Sequence, residues 1–334
     1  MIVTIIASVL VFGLLIGVHE FGHLIAAKLC KIKVHEFAIG MGTKLLSFEK
    51  GGTKYSLRLF PIGGFCNLNE DVESDREDAF SNKSPLQKIF VLASGALMNL
   101  LLGFLVLCII MGTPKEIVTN KVGEVLDYAP AYTQGLQAGD EIVKINKTST
   151  NLIDDVMLEM NYSDGSDIKL TVKRNGEKLK LNITPYKDED GRFIIGYKPA
   201  VISNSPLQTL RNSFYYSIYI SKAVLISLRD MITGKVAMNQ VSGPVGIVKE
   251  IGNAASMGFN RLLELIALIT INLGLFNLLP FPALDGGRIV FAAYELITKK
   301  KVPVSAEAVV HFIGLMLLLL LMVIVTFGDL GIIK

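Results

Sequence analysis

The chain has no tryptophan and only three cysteines, Cys30, Cys66 and Cys108, in 334 residues. Their spacing matches neither a metal motif nor an obvious pairing, so a disulfide framework is excluded and three free thiols are expected. Histidine is almost as scarce, with four residues, and the net charge of +3 is too small to argue for a nucleic-acid partner. Charge of either sign is absent from Ile2 to Val18. No Lys or Arg precedes Lys28, and the apolar run exceeds the core of a normal leader peptide. It is therefore expected to persist as a membrane span rather than be cleaved. With 51% hydrophobic and only 19% charged residues, much of the chain belongs in lipid.

Two of the four histidines fall in His19-Glu20-Phe21-Gly22-His23. Residues four apart share a helix face, so His19 and His23 can present imidazoles to one ion with Glu20 beside it. Neutral imidazole suits Zn²⁺, which keeps a position open for water, and the adjacent carboxylate can serve as base. The bland alternative is a chance pair of hydrogen-bonded histidines. Against it stands the cost of placing two imidazoles and a carboxylate on an apolar helix without a purpose.

Downstream, the pattern becomes that of strands from Val34 to Phe65, with Gly51-Gly52 as a hairpin turn and Pro61-Ile62-Gly63-Gly64-Phe65 as its end. An acidic connector follows from Glu70 to Asp78. A second span covers about Ile89 to Met111. Within it, Asn99 needs a partner, either as helix-to-helix glue or as part of the site. Residues from Lys115 to Pro199 read as a globular insert, with a helix near Ile153 to Met160 and a hairpin at Arg174-Asn175-Gly176-Glu177. In Pro206 to Met231 the charges Arg211, Lys222 and Arg229 stack on one face, as in an amphipathic interfacial helix.

A third span starts at Leu262 and ends in Asn277-Leu278-Leu279-Pro280-Phe281-Pro282-Ala283-Leu284-Asp285-Gly286-Gly287. Irregular backbone at membrane depth is tolerated where it is buried or lines a cavity, which makes Asp285 the best candidate for a third metal ligand. A helix-end cap is its alternative role. His35 and His311 compete as ligands but read as satisfied structural histidines. Lys28, Lys31 and Lys33 after the first span, and Lys299-Lys300-Lys301 before the fourth, place those positions in the cytoplasm. Asp285 and His23 can share an ion only if their spans run parallel, so the stretch from Pro206 must not cross.

The expected architecture is a polytopic α-helical membrane protein with four transmembrane helices, a re-entrant β-hairpin and an inserted extracytoplasmic α+β domain. Its boundaries are 1–30 for the first transmembrane helix, 31–85 for the cytoplasmic-side hairpin and connector, 86–112 for the second transmembrane helix, and 113–200 for the inserted domain. Amphipathic interfacial helices follow over 201–261, the third transmembrane segment over 262–288, a cytoplasmic loop over 289–303, and the fourth transmembrane helix with the C-terminus over 304–334.

The insert resembles a PDZ domain through its GLQAGDEIVKIN stretch. HEFGH, this insert and NLLPFPALDGGR together resemble the RseP-type regulated intramembrane zinc metalloproteases of the site-2 protease family, across nearly the whole chain. Gly95-Ala96 stands where many of that family have Gly-Pro. The resemblance implies His19, His23 and Asp285 as zinc ligands, Glu20 as catalytic base, and Asn277 at the substrate or tetrahedral intermediate. It also implies that the hairpin is re-entrant. Implied substrates are pre-trimmed single-pass membrane proteins, such as anti-sigma factors or remnant signal peptides, cut within the bilayer of the bacterial plasma membrane. A peptide or ectodomain would bind the PDZ-like unit. The alternatives from other classes are a silent PDZ membrane adaptor and a membrane metal carrier.

Overall fold

A computed structural model describes residues 1–68, 76–235 and 242–332, so the acidic connector falls mostly outside the described residues. The chain divides into two compact units, residues 1–106 with 220–334, and residues 107–219.

In the first unit, α1 spans Ile2–Leu29. It stops where Lys31 turns left-handed at φ 54°. The strands β1 (Glu36–Lys50) and β2 (Thr53–Asn67) follow, joined at Gly51 and Gly52 with φ 59° and 71°, the turn type that glycine pairs favour. The strands are more folded than a plain hairpin. Residues 36–39 pair with 54–57 and again with 64–67, while 44–50 pairs with 53–58. The expected stop at Pro61 to Phe65 is thus a bend, after which β2 returns to the start of β1 and packs along α1.

A short 3-10 turn leads into α2 (Pro85–Gly112). Its start is marked by a reciprocal cap, in which Ser84 N–H donates to Gln87 Oε1 at 3.1 Å and Gln87 N–H to Ser84 Oγ at 3.4 Å. Leu24, Ala27, Val34, Phe37, Phe80 and Val91 form the buried cluster where α1, the strands and α2 meet.

The second unit contains β3 (Glu116–Val125), α3 (Pro130–Thr133), β4 (Glu141–Ile145), β5 (Thr148–Ser149), α4 (Ile153–Asn161), β6 (Ile168–Arg174), β7 (Glu177–Ile183), β8 (Tyr186–Lys187), β9 (Phe193–Ile194) and β10 (Tyr197–Ser203). Its sheet runs β10-β3-β4-β6-β7 around a core that includes Val122, Ile142, Leu170 and Ile183. The Asn175-Gly176 turn has φ 51° and 92°, as the sequence predicts. The unit does not end at Pro199, because β10 continues to Ser203 and pairs Ser203 with Glu116. Pro199 sits at a register irregularity on this outer strand, a place where a missing N–H is tolerated.

Next come α5 (Pro206–Ile232), α6 (Pro244–Met257), α7 (Phe259–Leu278), α8 (Asp285–Thr298) and α9 (Val304–Asp329). Among the described residues, four helices are long and apolar enough to cross a membrane: α1, α2, α7 and most of α9. Gly243 is the residue before the first turn of α6. Asp329 accepts the Gly243 and Gly246 amides at 2.9 and 2.8 Å, capping α6 from the end of α9. Two sequence expectations change here. The third span, read as 262–288 with Asp285 near its end, stops as α7 at Leu278, so that Asp285 is instead the first residue of α8. The segment read as a loop from 289 is helical to Thr298. Lys88 Nζ bonds Glu295 Oε2 at 2.8 Å, tying α8 to α2.

Candidate metal centre

Two stretches distant in sequence supply three converging donor atoms. α1 carries His19 and His23 one turn apart, their rings edge to face with centroids 4.8 Å apart. The Nε2 atoms are 3.2 Å from each other. Asp285 Oδ2 lies 3.1 Å from His19 Nε2 and 3.4 Å from His23 Nε2. Asp285 can arrive there because α8 begins with it, and the positive end of the helix dipole favours its carboxylate form.

The imidazoles are oriented from behind. His23 Nδ1–H donates to the Val91 carbonyl at 2.8 Å, which also accepts Ser94 Oγ–H at 2.5 Å. That bond fixes the tautomer, leaving His23 Nε2 with its lone pair pointing into the site. His19 Nδ1 lies 3.3 Å from the Asn99 amide nitrogen, while Asn99 Oδ1 is buried without a partner. Exchanging the two amide ends, which have nearly the same shape, gives His19 Nδ1–H an acceptor and frees its Nε2 as well. Asn99 is itself held by Thr270 Oγ–H donating to its backbone carbonyl at 3.1 Å.

This donor set fits a metal ion. Asp285 Oδ2 is within ion-pair distance of both rings yet has no aligned hydrogen bond. With both Nδ1 positions protonated, three electron-rich atoms face one another, an arrangement that needs a cation among them. Tetrahedral bonds of about 2.0–2.1 Å place donors about 3.3 Å apart, close to the spacings observed. Two imidazoles and one carboxylate also form the donor set of hydrolytic zinc sites. Among the described residues this is the one group of three or more His, Cys, Asp or Glu side chains so arranged.

Glu20 borders the cluster on α1 and is half-buried, with β2 running past it. β2 can come this close because of Gly64, where a Cβ would stand 3.3 Å from Glu20 Cγ and 2.9 Å from the Ala38 carbonyl. Asn277 is half-buried near the end of α7 and makes no hydrogen bond to the three donors among the described residues. His35 and His311 stay outside the cluster; His311 Nδ1 accepts the Ala283 amide at 2.9 Å.

The sequence left Asn99 undecided, marked Gly95 only as standing where many of the resembled family have Gly-Pro, and carried no sign of Val91. A Cβ at Gly95 would run into His23 Nε2 and into His19 Cε1 and Nε2, so this glycine lets α2 lie flat on the two rings. The i, i+4, i+8 series Val91, Gly95, Asn99 is the signal that points to it. A backbone carbonyl such as that of Val91 leaves no such mark.

Comparison with known proteins points to one family. The model described as peptidase family M50 matches residues 7–321. A protein of Clostridium acetobutylicum named as a zinc metalloprotease is 40% identical over 328 residues, covering 97% of this chain and 96% of its own. A Clostridium perfringens protein of the same description is 38% identical over 97% of this chain and 98% of its own. One from Fusobacterium nucleatum is 35% identical over 98% of both.

Proposed function

The chain belongs to peptidase family M50 and is a multi-pass membrane zinc metalloprotease, and on that premise we propose that it hydrolyses a peptide bond in or near the membrane-spanning segment of single-pass proteins. The observation that carries this reading is the convergence of His19, His23 and Asp285 beside Glu20 at one end of α1, a helix with no charge from Ile2 to Val18. Such groups are too costly in an apolar span to be retained without chemistry.

In this reading His19 Nε2, His23 Nε2 and Asp285 Oδ2 hold the zinc. When bound, zinc polarises the scissile carbonyl and makes water acidic enough to be deprotonated near neutral pH. Glu20 takes the proton of the attacking water and returns it to the leaving amine. Val91 and Asn99 keep the imidazoles aimed. Asn277, whose amide is not engaged elsewhere among the described residues, donates to the developing oxyanion. The sheet of β1 and β2 offers an edge on which substrate is drawn out of its helix, since a helical peptide bond has its carbonyl shielded.

The lysines flanking the spans support an N-terminus outside and a zinc site towards the cytoplasmic side of a bacterial plasma membrane. A cavity of about 640 Å³ lined by Ala283, Arg288, Glu307 and His311 adjoins the turn before Asp285, polar enough to admit water to that side. The inserted unit, read as PDZ-like, then lies outside. There it would bind a peptide or the stub of an ectodomain, and the substrates would be pre-trimmed proteins such as anti-sigma factors or remnant signal peptides.

The test is cleavage of a trimmed single-pass substrate by purified native protein, Glu20→Gln and Asp285→Asn, with zinc content measured alongside. Glu20→Gln should lose on the order of 10² or more in rate and keep its zinc, whereas Asp285→Asn should lose zinc. Equal zinc loss in both would sink this division of roles.

A further inference from the structure

Asp285 reaches the imidazoles from a turn that its own residues do not favour. Ala283 has φ 75°, a left-handed conformation that is unfavourable for a residue with a Cβ. On the inner side the turn is held by close backbone contact: a Cβ at Gly286 would strike the Leu278 and Leu279 carbonyl groups, and one at Gly287 the Phe281 carbonyl. On the outer side it is held by α9. The Ala283 N–H donates to His311 Nδ1 at 2.9 Å. Three residues on, Gly314 lies so close to Pro282 that a Cβ would meet the Cβ and carbonyl of that proline. His311 and Gly314 occupy one face. Most other large apolar side chains of α9 are exposed, so these contacts, with the Asp329 cap on α6, tie the helix to the rest of its unit.

We propose that His311 is a positioning residue for the metal centre: its Nδ1 lone pair accepts the Ala283 amide and thereby fixes the turn that presents Asp285 Oδ2 to His19 and His23. This rests on the reading of Asp285 as the third ligand. Accepting at Nδ1 requires the ring proton to be on Nε2, and Glu307 Oε1, 3.8 Å from Nε2, lies on the side that keeps it there. The Arg288 Nε is 3.5 Å from the same Glu307 oxygen, and the Phe291 ring packs against the imidazole with centroids 5.8 Å apart. The ring is thus oriented on two sides while its acceptor atom faces the turn.

The experiment is zinc affinity of the purified full-length protein, by competition with a chelator, for native, His311→Asn, His311→Gln, His311→Ala and Asp285→Ala. The asparagine oxygen sits where histidine Nδ1 sits, glutamine places its carboxamide at the Nε2 position, and alanine supplies neither. Partners that orient metal ligands typically carry about 10–100-fold in affinity, so His311→Ala and His311→Gln should lose that much while His311→Asn stays close to native. Native affinity in His311→Ala, or equal losses in all three variants, would overturn the proposal. Asp285→Ala must itself lose zinc. If it does not, the ligand assignment fails instead, whatever the His311 variants do.

Discussion

A methyl group at position 95 is enough to close the space between α2 and the two imidazoles, because a Cβ there would occupy the approach to His19 and His23 Nε2. Gly95→Ala is ordinarily a helix-strengthening change worth up to about 1 kcal/mol. Here overpacking of about 1–3 kcal/mol opposes it and falls on the ligands. Zinc affinity should drop roughly 10- to 100-fold, as measured by metal content after dialysis. Gly13→Ala on α1, where nothing lies within 4 Å, should bind zinc as the native protein does. Similar affinities in the two variants would mean that α2 moves aside freely. At this scale the three donors that converge are conspicuous in the sequence, since HExxH and a lone aspartate beside two prolines stand out chemically. The sequence shows their orienting partners poorly, because a glycine, a carbonyl and an apolar-span asparagine each have common structural uses.

Among the elements, the folded sheet of β1 and β2 departs most from expectation. Gly51-Gly52 is readable as a turn because only that geometry needs two positive φ values in succession. Pro61 and the glycines after it read equally as an end to the strand. They serve instead as a bend, and Gly64 lets the returning strand pass Glu20. Leu57 pairs with both Ile39 and Leu46, so Leu57→Pro removes a donor at a position flanked on both sides. If the sheet unwinds substrate, this variant should cleave a stable transmembrane helix about tenfold less well, and a helix loosened by Gly or Asn nearly as well as native. Retained zinc would show that the site is intact, and equal losses on both substrates would make the sheet scaffolding alone.

For the molecule as a whole, we propose that the insert acts on access rather than on chemistry. Its sheet runs past the boundary read from the sequence, because β10 continues beyond Pro199 to Ser203 beside β3. A deletion should therefore remove residues 115–203, not stop at 199, and bridge the gap with a short flexible linker. If the insert excludes intact ectodomains, the variant should keep cleavage of trimmed substrate and gain some cleavage of the untrimmed form, with zinc content and membrane insertion unchanged. Selectivity equal to native would leave the insert as a partner-binding unit.

The ends of that insert are fastened together. Asn204 N–H donates to the Lys115 carbonyl at 2.8 Å, and its side-chain amide donates to the carbonyls of Met111 and Pro114 at 2.8 and 3.0 Å. Chain leaving α2 and chain entering α5 are therefore neighbours before a single residue of the insert is counted. Such an attachment behaves as a socket. A domain of any size whose termini lie side by side can be plugged in, duplicated or discarded there without altering the join between the helices it interrupts. The chain can thus exchange this unit while keeping the helices that flank it intact.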